Sequence, residues 1–174
     1  MEIVICKDPQ DVGKVAADRV ISYLEGLPTP VIGLATGSSP LALYEELARR
    51  VEAGTFDFSH GLGFALDEYV GIPRSHAESY HSVITRTVVA PLRMDPARVR
   101  VPDGLASDLQ AAADEYDEAI ELAGGVDVQI LGIGSNGHIG FNEPFSSFSS
   151  RTRVMTLTPE TRVDYARFFD SIEQ

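Results

Sequence analysis

Three short stretches of the chain carry side chains able to do chemistry. Thr36, Gly37, Ser38 and Ser39 form a TGSS turn, Asp67 and Glu68 open a DEYVG run, and Asn136, His138 and Glu143 sit within GIGSNGHIGFNEP. A TGSS turn that joins a strand to a helix offers unpaired N–H groups and two hydroxyls at the positive end of the helix dipole, the environment a phosphate needs. Read alone it is equally an ordinary connection with a serine cap, and it is not a Walker loop, since no GxxxxGK[ST] is present. Two acids at the start of a loop usually make a solvated turn, yet an aspartate desolvated by a ligand at a strand end can act as a base. His138 beside Glu143 can form a proton shuttle that changes charge near neutral pH, the plain alternative being a surface histidine with an acid nearby.

Two more specific readings are set aside. Gly132, Gly134 and Gly137 spell GxGxxG, but residues 138–144 have no amphipathic period and reach Pro144 early, so the motif does not open the helix that a dinucleotide fingerprint requires. His76 and His81 are five residues apart and share no helix face, while His60 and His138 stand far off. Without ligand spacing, no metal is expected.

The elements that must position these residues alternate between β-rich runs and helical patterns, which predicts an α/β fold: an open, mostly parallel Rossmann-like sheet with helices on both faces. Strands are expected at 2–6, 30–35, 61–66, 98–101 and 127–133, the last nearly all apolar, as a central strand covered on both faces would be. Cys6, the single cysteine, would then be a buried strand thiol. Helical spacing of Val12, Val15, Ala16, Val20, Tyr23 and Leu24 predicts a helix stopped by Gly26 and Pro28. A second helix should open at Pro40 with Ser39 as its cap and bury Tyr44, Leu47, Ala48 and Val51. A third should start at the capping box formed by Ser75 and Glu78 and run towards Pro91. Residues 109–123 give the clearest helix, ended by Gly124 and Gly125. The 134–150 stretch, rich in Gly, Asn and Ser, reads as a functional loop. In open parallel sheets ligands bind beyond the carboxyl ends of the strands, and the three chemistry-bearing stretches all leave such ends.

With 174 residues and no repeat or linker, the chain reads as one domain, 1–174. Its net charge of −12 and lack of any Lys/Arg run argue against a nucleic-acid partner. An anionic ligand must then be held by backbone donors and a few arginines. No apolar stretch of membrane-spanning length and no signal-peptide pattern are present, so no membrane partner is expected and the cytoplasm is the expected compartment.

Taken together, GLATGSSPLALYEEL (33–47), FALDEYVGIPRSHAESYHSV (64–83) and LGIGSNGHIGFNEPFSSFSSRT (131–152) resemble the glucosamine-6-phosphate deaminase family, in its order and at its spacing, along the whole chain. DEYVG and NGHIGFNEP separate that family from the 6-phosphogluconolactonases, whose third motif looks like GHTASLFP. The resemblance implies conversion of glucosamine 6-phosphate and water to fructose 6-phosphate and ammonia, with a small-molecule sugar phosphate as partner and no cofactor. It makes Asp67 the base that moves the C2 proton towards C1, and His138 the ring opener, assisted by Glu143 and by Asn136. Some members carry aspartate at the latter position; an amide cannot accept a proton, but it can orient the imidazole. Thr36, Gly37, Ser38, Ser39 and Gly137 fall in the substrate- and phosphate-binding set, joined by Arg167 of ARFF.

Two departures bear on function. Family members continue beyond the position of Gln174, so the chain is expected to be short relative to the family, with its own activity open to test. Met155 stands where regulated members resemble one another in having lysine, and a thioether cannot pair with a phosphate. Activation by N-acetylglucosamine 6-phosphate is therefore not expected; a sigmoidal rate curve sharpened by that compound would contradict this. The competing readings are a gluconolactonase-like hydrolase and a non-catalytic sugar-phosphate-binding fragment. Whether the protein forms a homo-oligomer is not legible in the sequence.

Overall fold

Val31, Ile32 and Leu34 place β-branched and aliphatic side chains on alternate faces of a strand that is buried along its whole length, and the sheet is built around it. In the computed structural model, which describes residues 1–166, this strand β1 (Val31–Leu34) pairs in parallel with β2 (Leu62–Ala65) on one side and β4 (Val128–Gln129) on the other. Beyond β2 lies β3 (Val99–Arg100), so the order is β3-β2-β1-β4, all parallel.

Helices cover both faces, as the alternation of elements predicts. Ile32, Leu34 and Ala65 point into a core formed with α1 (Pro9–Leu24) and α2 (Leu41–Glu52), through Ala17, Val20, Leu24, Leu43, Leu47 and Val51. The same core takes Ile84 from the short helix α3 (Tyr80–Ile84), and Val88 and Val89 from the π-helical turn Thr85–Val89 that continues it. On the opposite face Val31 and Phe64 meet Tyr116 of α4 (Leu109–Leu122), the Phe64 and Tyr116 rings edge to face at 5.9 Å. A last helix, α5 (Pro159–Ala166), comes after the long loop; sequence periodicity does not mark it.

Several expectations are corrected. Residues 1–6 form no strand: Ile3 and Ile5 are 75% and 94% exposed, and Cys6 is half-buried. β propensity alone does not make a strand; a ladder partner must be present, and among the described residues none reaches this segment. The 127–133 run holds only two strand residues and lies at the edge of the described sheet, with Leu131 and Ile133 exposed. Val12 and Tyr23 face outward, leaving Gly13, Ala17, Val20 and Leu24 as the buried stripe of α1; Asp8 caps this helix, accepting from the Asp11 N–H. Ser39 does not cap α2, which starts at Leu41 behind Pro40 without a side-chain cap. Nor does the box of Ser75 and Glu78 form. Residues 73–79 make turns, the Glu78 N–H bonds His76 Nδ1, and α3 begins only at Tyr80.

Tyr44 ties this frame to the site. Its buried hydroxyl donates to the Ala35 carbonyl (2.8 Å) and accepts from the Ala35 N–H (3.1 Å), clamping the end of β1 one residue before the TGSS turn. Tyr44→Phe leaves both backbone groups unpaired in the interior, at a cost of about 1–3 kcal/mol. A lower Tm together with weaker binding of inorganic phosphate, measured by calorimetry, is the expected result.

Candidate active site

The chain runs outward from β1 to β2 and β3, then returns to place β4 on the far side of β1. The strand order thus reverses between β1 and β4, and the gap beyond the carboxyl ends of these two strands is the switch point where open α/β sheets bind ligands. A cavity of about 350 Å³ fills that gap. Its walls are residues 35–39 after β1, Leu66 and Asp67 after β2, residues 132–135 with His138 and Gly140 after β4, and Asp164 and Tyr165 on α5. Thr36, Gly37, Ser38, Ser39, Asp67 and His138 are thus brought to one ligand-sized space. Gly137, at φ 92°, shapes the loop rather than the wall. Arg167 lies outside the described residues.

A larger cavity, about 560 Å³, opens on the other side of the 66–70 segment against α4 and residues 150–157. It shares Leu66 and Asp67 but reaches neither His138 nor the TGSS turn, so the smaller cavity is the one that unites the reactive groups.

Asp67 stands just past the end of β2 and takes a hydrogen bond from the Phe141 N–H. Gly140 permits this approach: a Cβ at that position, where φ is +57°, would lie 2.8 Å from Asp67 Oδ2. Burial pushes the Asp67 carboxyl up to about 7; the Phe141 bond opposes the rise and the neighbouring Glu68 charge adds to it. A carboxyl poised there can both take and return a proton near neutrality.

His138 is 6% exposed, and its orientation is set by its neighbours. Asn136 Oδ1 accepts the His138 backbone N–H (3.0 Å) and lies 2.8 Å from Nδ1. An amide oxygen only accepts, so this contact calls for a proton on Nδ1, and in the neutral ring that leaves Nε2 with the lone pair. Glu143 is not the direct partner of the imidazole that the spacing suggests. Its Oε2 accepts from Asn136 Nδ2 (3.1 Å) and its Oε1 from the Thr158 N–H (2.8 Å), so the carboxylate reaches His138 through the amide. Burial raises the Glu143 carboxyl, but the bonds from Thr158, Thr161 and Asn136 outweigh it and hold the group below its ordinary range. Thr161 of α5 completes the cluster, 3.2 Å from Asn136 Nδ2 and 3.3 Å from His138 Nδ1.

Sequence reasoning misses an aromatic cluster beside the cavity. Tyr69, Tyr80, Phe141 and Tyr165 pack with ring centroids 4.9–6.5 Å apart, and Tyr165 also lies 5.8 Å from the His138 ring. Tyr69 and Phe141 each lie within a motif and could have been noticed; Tyr165, on an unmarked helix, carries no such signal. Asp164, whose carboxylate accepts from Ser135 Oγ at 2.6 Å, is equally silent. Among the described residues no cluster of His, Cys, Asp and Glu could hold a metal ion, and no helix is long and apolar enough to cross a membrane.

An open parallel sheet with an acid, an imidazole and a hydroxyl-rich turn around one cavity at its switch point defines the class: an α/β protein with a ligand-sized pocket beyond the carboxyl ends of its strands. The chain belongs to the glucosamine-6-phosphate isomerase/6-phosphogluconolactonase family, whose model matches residues 7–148. Within that family it stands with the glucosamine-6-phosphate deaminases. It is 54% identical over all 174 residues to the deaminase of Cutibacterium acnes and 56% identical over 173 residues to that of Rhodococcus opacus, spanning 67% and 66% of their lengths. A solved monomeric glucosamine-6-phosphate deaminase superposes over the whole chain at a TM-score of 0.96 and 37% identity, the chain covering 72% of it. The 6-phosphogluconolactonase of Leishmania guyanensis matches 90% of this chain and 70% of its own at a TM-score of 0.73 and 20% identity, a likeness of fold alone.

Proposed function

We propose that this protein isomerises and deaminates glucosamine 6-phosphate, which with water gives fructose 6-phosphate and ammonia. The supporting observation is the meeting of Asp67, His138 and the TGSS turn on one cavity, in the branch of the family formed by the deaminases. Asp67 takes the proton from C2 of the opened sugar and delivers it towards C1. His138, its proton held on Nδ1 by Asn136, offers Nε2 to the sugar hydroxyl during ring opening, and Glu143 fixes the amide. The phosphate is anchored by Thr36, Ser38, Ser39 and the N–H groups of their turn. Arg167 joins them on the resemblance alone. Anchoring the phosphate end offsets the entropy of orienting the reacting carbons. A cytoplasmic compartment goes with this reading, and the expected partner is the sugar phosphate itself.

The direct test is incubation of the 174-residue chain with glucosamine 6-phosphate. Ammonia and fructose 6-phosphate appearing together support the reading, whereas lactone hydrolysis without ammonia release would overturn it. A finer test addresses His138. His138→Gln is expected to slow turnover of the cyclic sugar phosphate by about 100-fold, the lower range for loss of an acid–base group. A substrate presented in open-chain form should lose far less. Equal losses on both forms, in matched stopped assays, would remove His138 from ring opening.

A further inference from the structure

Glu68 comes directly after Asp67 in the chain but does not line the smaller cavity, and its carboxylate accepts four hydrogen bonds. Oε1 accepts the N–H groups of Tyr69 (2.9 Å) and Tyr80 (3.0 Å); Oε2 accepts the Ser79 hydroxyl (2.7 Å) and the His81 N–H (3.0 Å). Three of these donors belong to the start of α3, which has no cap from its own Ser79 side chain. The cap comes instead from a residue 11–13 positions earlier, on the loop that carries Asp67. Behind α3, Ile84 and the π-helical residues Val88 and Val89 are locked into the main core. A short path therefore leads from that core through α3 and Glu68 to the peptide of Asp67.

We propose that Glu68 is a positioning residue for the reaction: by clasping Ser79, Tyr80 and His81 it holds the 67–69 segment so that the Asp67 carboxylate enters the cavity against the Phe141 N–H. The proposal rests on Asp67 being the base. It also gives Glu68 an electrostatic part. Asp67 is faced by Glu68 and Tyr69 on its own loop, Tyr80 on α3, Tyr116 on α4, His138 on the glycine-rich loop, and Asp164 and Tyr165 on α5. Of these, Glu68 is the negative charge that acts on the Asp67 carboxyl, raising its affinity for a proton. Its four donors partly neutralise that charge.

Two substitutions separate this role from simple helix capping. Glu68→Gln removes the charge and replaces one acceptor oxygen with an NH2 group. It should lower kcat by about 10- to 100-fold, the scale of an ångström-sized displacement of a reacting group, with KM within about twofold. The midpoint of Asp67, tracked by 13C NMR of its carboxyl carbon, should move down, and the acid limb of kcat/KM with it. Ser79→Ala, which keeps the other three donors, should move the same midpoint up, because it strips a donor from Glu68. Opposite displacements in the two variants support the proposal. An unchanged Asp67 midpoint in either folded variant, or a kcat that Glu68→Gln does not lower in an active protein, would overturn it. If Glu68→Gln does not fold, Ser79→Ala decides alone. Absence of ammonia release from the unsubstituted protein would instead count against the proposed function, while the NMR titration still decides the placement of Asp67.

Discussion

Asp67→Asn is expected to abolish ammonia release and, at pH 8, to melt several degrees above the unsubstituted protein. Both effects arise from one carboxyl. Asparagine matches the shape of aspartate but cannot accept the C2 proton, so turnover should fall by at least about 1,000-fold, within the range for loss of an acid–base group. Binding of the sugar phosphate should change little. The stability gain is a linkage effect. In the folded protein the Asp67 carboxyl titrates at about 7, against an ordinary value of 3.8, so between these the folded state holds a proton that the unfolded chain has released. Stability therefore falls as pH rises from about 4 to about 7 and stays low above it. At roughly 1.4 kcal/mol per unit, the ionised carboxyl costs up to about 4 kcal/mol at pH 8, and the amide removes that cost. At pH 3, where the carboxyl is protonated in both states, the two proteins should melt alike. A Tm difference independent of pH would show that the burial of Asp67 is not its source. The same titration makes the rate of the unsubstituted protein rise with pH through about 7, as the base loses its proton.

Gly134→Ala is the second large effect, and it acts without touching a reactive group. The new methyl would land on the His138 ring, against Cε1, Nε2 and Nδ1. The ring has little room to yield, being held by Asn136 at Nδ1, by Thr161 and by the tilted ring of Tyr165. Either the imidazole swings out and loses its bond to Asn136, or the 132–138 backbone shifts and loosens the bond from the Gly134 N–H to the His138 carbonyl. Turnover of the cyclic substrate should drop by about 100-fold or more, as with His138→Gln. The 15N shifts of the ring should show that Nδ1 no longer carries the proton. Retained activity with an unaltered tautomer would mean that the loop accommodates a Cβ, and the tight seating of His138 would then have no catalytic weight.

The sheet and its three functional loops are legible because their signals are local. Val31 to Leu34 alternates between two buried faces, Gly26, Gly124 and Gly125 adopt positive φ just past the helices they end, and the TGSS, DEYVG and NGHIGFNEP stretches all come after strands. The misreadings concern partners supplied from elsewhere. Residues 2–6 have strand composition but no ladder neighbour among the described residues. The 127–133 run has the apolar content of a central strand, yet among the described residues only β1 adjoins it. Ser75 and Glu78 have the spacing of a capping box, but the acid that caps α3 is Glu68, brought there by the loop. At the site, spacing places Glu143 beside His138 and cannot reveal that Asn136 stands between them.

The aromatic cluster beside the cavity gives the protein an optical property. The chain contains no tryptophan and six tyrosines, and three of these, Tyr69, Tyr80 and Tyr165, pack together at the candidate site. Ultraviolet emission from this protein is therefore tyrosine emission, with half of its emitters gathered beside Asp67 and His138. Tyr165 lines the cavity itself, so a ligand bound there changes the quenching and water exposure of that ring. Occupancy of the cavity can then be read in a fluorimeter from the unlabelled protein, with no dye or engineered reporter.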